Sequence, residues 1–523
     1  MKKITFLSTL SSVAYVLFIN TALADTTIVS NVKGYTLTDS GKLQSFSHIQ
    51  FTNDKIDSIF NTLDRTNLSE NVKVIDGKGK TMLPGLIDAH GHVLSYGLSL
   101  LRADLTTSQN ATDAVQHTVK YAAANPGINW IQGRGWNQEL WPDKQFPTAE
   151  ILDRNFPNKP VWLRRIDGHA GWANSKAMAL AGINKQTKSP VGGEIIKDAQ
   201  GNPTGVFVDN AMALIENKIS ALTAKEQRFA LAKAMNSLAS LGLTSIHDAG
   251  IDSKNLELFK QMANENELPI RINAMLYLPS PSWQDRLSEG TFSTPDHMLN
   301  FNSVKIQADG ALGSRGAALI EDYSDKHGHR GLLLHSSKDL TNYVEFAMDK
   351  GFQVNTHAIG DDANAQVLDL YQSLINKTKT RALRHRVEHA QVLRLSDIPR
   401  FSELGVIASM QATHATSDKN MAEDRLGKDR ILGAYAWRKL LDANATIAAG
   451  SDFPVEPPNP FFGLHASVTR QDRQNSPDNG WMPDQKMTRA EALRSFTLDA
   501  AFAGRQEQIL GTLTEGKKAD FTR

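Results

Sequence analysis

The chain has 523 residues, 57 basic against 56 acidic, a formal net charge of +1, 41% hydrophobic residues and no cysteine. A balanced charge with no basic stripe argues against nucleic acid as a partner. Without cysteine there are no disulfides, no lipid attachment through an N-terminal thiol and no thiolate metal site, so any metal must be held by imidazole, carboxylate or similar donors.

At the N-terminus, Lys2 and Lys3 precede an apolar run from Ile4 to Ile19 and the small-residue site Ala22-Leu23-Ala24. This is the pattern of a signal peptide over residues 1–24, cleaved after Ala24, which places the mature chain in the periplasm or outside the cell. An uncleaved N-terminal anchor is the alternative. The run is short for a span of about 20 residues, and no later segment offers 18 consecutive apolar residues, so no stable membrane span is expected after cleavage.

Next come short β-prone stretches, Thr27 to Val32, Leu43 to Phe51 and Val72 to Ile75, separated by turn residues such as Asp39-Ser40-Gly41. They predict a small antiparallel sheet. From Pro84 onward the rhythm becomes apolar strand, polar loop, amphipathic helix, the signature of parallel βα units. Thr223-x-x-Glu226 and Thr488-x-x-Glu491 predict capping boxes, and Gly242 and Gly504 sit where helices should end.

Eight strands are predicted in order: Gly85 to His90, Thr244 to Asp248, Ile270 to Tyr277, Val304 to Ala308, Gln353 to His357, His385 to His389, Gly405 to Met410 and Thr446 to Gly450. Eight is the number a closed (β/α)8 TIM barrel needs, so the fold class is α/β. Roughly 150 residues separate the first two strands, far more than an ordinary βα connection. This stretch holds Trp130, Trp136, Trp141, Trp162 and Trp172, and is read as an inserted lid over about residues 100–240. No internal repeat or low-complexity stretch is evident.

Asp88-Ala89-His90-Gly91-His92 ends the first strand, where residues i and i+2 point the same way and both imidazoles can converge on one ion. Such an H-x-H pair is weak by itself. The fifth, sixth and eighth strands, however, end in Thr356-His357-Ala358, Glu388-His389-Ala390 and Gly450-Ser451-Asp452, where barrel enzymes place catalytic groups. Together His90, His92, His357, His389 and Asp452 form a His4Asp set suited to divalent metal, zinc first, with Mn, Fe or Ni as alternatives. Lys305 in the fourth strand needs its own account. An ammonium in an apolar strand facing dications should lose its proton, and the neutral amine can then add carbon dioxide to give a carbamate that bridges two metals. The bland alternative is a side chain that snorkels outward.

The set His90/His92, Lys305, His357, His389 and Asp452, in this strand order, resembles the metal-dependent amidohydrolase superfamily. Within it, Leu83-Pro84-Gly85-Leu86-Ile87-Asp88-Ala89-His90-Gly91-His92, Gly133-Arg134-Gly135-Trp136, Arg165-Ile166-Asp167-Gly168-His169 and Ala308 to Gly316 are similar to the branch containing N-substituted formamide deformylases (amidohydrolase family 3). The resemblance spans nearly all of residues 27–521. It implies a barrel over residues 81–504, flanked by a small β-sandwich built from residues 25–80 plus 505–523. Relatives carry further strands after the segment around Lys518 to Arg523, so the C-terminal part of the sandwich is expected to be truncated.

The expected activity is hydrolysis of a C–N bond in a small amide-like substrate by metal-activated hydroxide, with two divalent ions. Asp452 would shuttle the proton to the departing nitrogen, and His389 is both a ligand and a catalytic candidate. Arg165, His169, His247 and Arg315 are candidates for holding a carbonyl oxygen or a substrate carboxylate, and Trp136 for an apolar wall. Arg165 and His169 have an equally good reading as lid-packing residues. A second reading uses one metal on His90, His92, His357 and Asp452, with His389 as acid/base and Lys305 unmodified, which suits a deaminase or isomerase-like enzyme. A third is a periplasmic binding protein that has lost catalysis. A homodimer is left open.

Overall fold

The computed structural model describes residues 25–66, 68, 69 and 71–523; the predicted signal peptide lies outside them. Eight barrel strands, β1 (Leu86–Gly91), β2 (Leu243–Ile251), β3 (Arg271–Leu278), β4 (Leu299–Gln307), β5 (Gln353–Ala358), β6 (Arg386–His389), β7 (Ile407–Met410) and β8 (Ile447–Ala449), pair side by side in chain order. Every pairing is parallel. β1 and the loop after β8 close the ring through a Gly91–Phe453 bridge, with the Asp452 N–H donating to the His90 carbonyl at 2.7 Å and the His92 N–H to Phe453 at 2.9 Å. Asp88 reinforces this seam by accepting from the Ser451 N–H at 3.0 Å and the Ser451 hydroxyl at 2.7 Å. Position 450 must be glycine there, because a Cβ would lie 2.6 Å from the His90 nitrogen.

Alternation along the strands sorts apolar from polar. Val304, Ile306, Val354 and Val387 join the main core with helix residues such as Leu340, Val344 and Leu368. Their neighbours Ser303, Lys305, Asn355, Arg386 and Glu388 are equally buried but polar, so the barrel interior is a hydrogen-bonding environment rather than a greasy one. Each of the eight expected strands is present, β2 and β4 extending beyond their predicted ends. Both predicted capping boxes form. Gly242 takes the left-handed turn after its helix (φ 92°), but after the last helix that turn falls on Arg505 (φ 59°) and not on Gly504. Gly504 answers a different need, since a Cβ there would meet His247 Nε2 at 2.8 Å.

The insertion forms a six-stranded sheet in the order Gly193–Lys197, Pro203–Asp209, Ala170–Ala173, Val161–Arg165, Ile131–Trp136, Ala103–Asp104. Its core is built on Trp136, Trp141 and Trp172. The lid is shorter than expected: Ala224–Ser240 contributes Leu231, Met235 and Leu238 to the barrel core, so the inserted unit ends near residue 216. The N-terminal region also departs from a single antiparallel sheet. Thr26–Ser30 pairs antiparallel with His48–Thr52 and parallel with Lys73–Asp76, while Leu43–Phe46 pairs with Lys33–Leu37 in a second sheet. The stretch Leu43 to Phe51 thus serves both sheets. Phe521–Thr522 adds an antiparallel strand to Thr81–Pro84, and Leu513 joins Val29, Ile49 and Met82 between the sheets. Among the described residues no helix is long and apolar enough to cross a membrane.

Candidate metal centre

Two groups of donors share Asp452. His90, His92 and Asp452 form one, His389, His414 and Asp452 the other, with one ligand atom from each residue within 4.8 Å of the rest of its group. His92 Nε2 lies 3.0 Å from Asp452 Oδ1 and His90 Nε2 3.6 Å, while His414 Nε2 stands 3.6 Å from Oδ2. His90 packs against the His389 ring at 4.8 Å, and His389 against His357 at 4.6 Å. Burial holds the imidazoles of His90, His92, His357 and His389 below their ordinary pKa, His90 at about 4. Neutral imidazole is the ligand form.

The donor set fits a divalent ion. His90 Nε2 and His414 Nε2 are buried with no hydrogen-bond partner among the described residues, a costly state unless another group completes them. The outer atoms of the same rings are occupied: His90 Nδ1 bonds to Glu388, and His389 Nδ1 lies 2.7 Å from Gln411 Oε1. Such partners orient a ligating imidazole and select its tautomer. Glu388 is itself clamped by Arg386, whose Nε is 2.7 Å from Oε1.

Lys305 is buried to 1% exposure, and no hydrogen bond or ion pair to its Nζ is present among the described residues. Burial pushes its ammonium below the ordinary range, while Glu388 and Asp452 push it back up. The side chain faces the barrel interior rather than snorkelling outward, since its strand neighbours Val304 and Ile306 take the helix side. His357 joins neither donor group. His357 Nε2 is drawn toward Asp309 Oδ1 and the Gly310 carbonyl, both at 3.4 Å.

A cavity of about 580 Å³ lies between barrel mouth and lid. His357, His389, His414 and Asp452 line it from the barrel, and Arg134, Arg165, Asp167 and His169 from the lid. His169 Nδ1 is 2.5 Å from Asp209 Oδ1, and its ring packs at 5.3 Å from His357. Arg165 reaches the cavity wall with its guanidinium already engaged by Gln138 at 2.7 Å, Asn137 at 2.9 Å and Asp167 at 2.5 Å.

Three expected substrate contacts lie elsewhere. His247 sits inside the barrel with Nδ1 3.0 Å from Arg386 Nη1, and its place midway along β2 keeps it from the mouth. Arg315 is turned away into an ion pair with Asp325 at 2.9 Å. Trp136 is fully buried in the lid core, donating to the Leu163 carbonyl at 2.8 Å, because a bulge at Gly135 shifts the register before it. None of the three lines the cavity.

Sequence reasoning passed over His414, Asp309 and the positioning role of Glu388. His414 follows β7 in Met410-Gln411-Ala412-Thr413-His414, a strand end without a predicted ligand, and a search of every strand end for histidine would have found it. Asp309 accepts backbone N–H groups from Ala318, Ile359 and Gly360 at 2.8–3.0 Å, contacts between loops far apart in sequence.

Histidines and an aspartate converging at the C-terminal ends of barrel strands, with orphaned donor atoms beneath a roofed cavity, define a metal-dependent hydrolase. The chain belongs to the amidohydrolase family, whose family model matches residues 73–522. It is 34% identical over 458 residues to the protein LONG AFTER FAR-RED 3 of Arabidopsis thaliana, covering 85% of this chain and 78% of that one. It is 27% identical over 465 residues to an N-substituted formamide deformylase of Arthrobacter pascens, covering 86% and 84%. Among solved structures it is similar to an uncharacterized metal-dependent hydrolase of Pyrococcus horikoshii, with a TM-score of 0.74, 25% identity, and coverage of 95% of this chain and 96% of that one.

Glu388→Gln removes the charge that orients His90. Metal affinity, measured by chelator competition on folded protein, should fall about 10- to 100-fold; unchanged affinity would remove Glu388 from the positioning role.

Proposed function

We propose that this chain is an exported hydrolase that cleaves the C–N bond of a small amide, using two divalent ions, zinc first, and a carboxylated Lys305. The observation that carries the reading is Lys305 itself, buried in the barrel interior within electrostatic reach of Glu388 and Asp452, with no hydrogen bond or ion pair to its amine among the described residues. A neutral amine there would add carbon dioxide with loss of a proton, and the carbamate would supply a further anionic oxygen donor alongside His90, His92, His357, His389 and Asp452. The formamide deformylase relative supports an amide-type bond.

Divalent ions held by these donors supply Lewis acidity toward a carbonyl oxygen and lower the pKa of water. Asp452 sits between both donor groups, so one carboxylate can take the proton from the attacking water and return it to the departing nitrogen. Amide and water become acid and amine. His169, fixed by Asp209 against His357, stands where a lid group can hold the substrate's carbonyl oxygen.

A one-metal reading has its own support, because His90, His92 and Asp452 make a complete triad without Lys305. In it His389 becomes the acid/base group, and bound metal per chain separates the two.

Three outcomes are expected. Asp452→Asn should keep most bound metal and lose about 10³-fold or more in kcat on amides that the wild type hydrolyses; near-normal turnover at full metal content would refute the proton shuttle. Lys305→Ala should drop metal content from two ions to one and lose most activity, with short carboxylic acids restoring part of both. Two retained ions in that variant would end the dinuclear bridge. Protein recovered from the periplasm should have an intact mass lacking residues 1–24, and a mass that includes them would oppose cleavage and export.

A further inference from the structure

The cluster accounts for the scissile bond but not for recognition of the rest of the substrate. Several charged side chains along the cavity are already matched. Arg165 has Asp167, Glu139 has Arg425 at 2.5 Å, and Asp104 Oδ1 accepts from the N–H and hydroxyl of Thr106 at 2.9 and 2.7 Å. Arg134 is different. Its guanidinium makes one hydrogen bond, from Nη2 to the Ile166 carbonyl at 2.8 Å, and no ion pair among the described residues. Its Nε is buried and without a partner among the described residues.

The surroundings make the charge more conspicuous. Arg164 and Arg102 flank it, and Arg164 itself pairs with Glu216 at 3.3 Å and donates to the Gly168 carbonyl at 3.1 Å. Burial and then Arg164 push the Arg134 guanidinium down to about 9, so it remains a cation at neutral pH. Its place is structurally determined. It precedes the bulge at Gly135 (φ 118°), where a Cβ would lie 2.7 Å from the Thr106 nitrogen, and Ile166 fixes one edge of the fork. A guanidinium offers five N–H donors in a rigid planar array suited to bidentate carboxylate recognition.

Across the cavity, Asp418 accepts from Tyr435 at 2.8 Å and Gln391 at 3.3 Å, and burial raises its carboxyl to about 6 and that of Glu456 to about 7. Arg473 also lines the cavity there, beside Glu456, but it is solvent-exposed. Arg134 is the enclosed cation, and a substrate carboxylate is drawn more strongly to a charge shielded from water.

We infer that Arg134 is a specificity residue that binds a carboxylate on the substrate, away from the scissile bond, so that the enzyme takes small amides bearing an acid group, the N-acyl amino acids among them. This rests on the amide-hydrolase reading above. The test compares N-acetylphenylalanine with its primary amide, as kcat/KM for cleavage of the acetyl group on metal-replete protein. The wild type should prefer the acid. Arg134→Met should lower that preference about 10- to 100-fold, mainly through KM, the loss expected for a charge-assisted hydrogen bond. Arg134→Lys should restore only part of it, because the fork is missing. An acid-to-amide ratio unchanged by Arg134→Met overturns the inference.

Binding is read separately by calorimetry with N-acetylphenylalanine on the Asp452→Asn protein, with and without Arg134→Met. Loss of binding with Arg134→Met supports the carboxylate site even if neither compound is cleaved, in which case the cleavage assay counts against the bond type alone. Binding that ignores residue 134, or no binding in either protein, overturns the site.

Discussion

The site depends on one buried carboxylate. Glu388 lies inside the barrel at zero exposure, a position that ordinarily favours the neutral acid. Burial pushes its pKa up, but Arg386 and His90 outweigh that and hold it well below the carboxylate range. Taking such ions out of water is expensive, and the cost is offset only when partners are complete. Here Arg386 also donates to the Ala89 carbonyl at 2.6 Å and the Ser409 hydroxyl at 2.7 Å, and contacts His247. The ion pair thus ties β1, β2, β6 and β7 together, and its free end sets the His90 ring with Nε2 toward Asp452. The position of the ligands follows from this network.

A second constraint is backbone strain. Glu388 and His389 are adjacent, and adjacent residues in a regular strand face opposite sides, yet both reach His90. His389 achieves this at φ 73°, and Asp452 turns at φ 61° beside the seam. Non-glycine residues pay for such conformations and hold them only where the surroundings over-determine them. The backbone bond from Asp452 to His90 and the Asp88 contacts to Ser451 provide that restraint.

The lid is coupled to the same centre through Asp209. Gly310 and Gly316, in the loop after β4, approach its carboxylate so closely that a Cβ on either would lie within 2.4 Å of Oδ2. Asp209, itself at φ 49°, orients His169 against His357. Small residues in that loop therefore let lid and barrel share one cavity. The chemistry of the floor and the selectivity of the roof come from different segments held in register by this contact.

Much of the plan was legible along the chain. Strand rhythm gave the eight-stranded barrel, and histidine or aspartate at the ends of β1, β5, β6 and the loop after β8 named five candidate donors, because these signals are local and periodic. Lys305 stood out for the same reason, a cation in an apolar strand. The roles of Arg165, Arg315, His247 and Trp136 were decided only by tertiary structure. Whether a polar side chain is free depends on neighbours distant in sequence: Asp325 claims Arg315, Arg386 claims His247, and a one-residue bulge buries Trp136. His414 and Asp309 became visible for the converse reason, since loops from separate βα units had to meet before their side chains acquired partners. Residue type and period determine the barrel and its candidate ligands, whereas the competition among buried polar groups for partners determines which of them remain available.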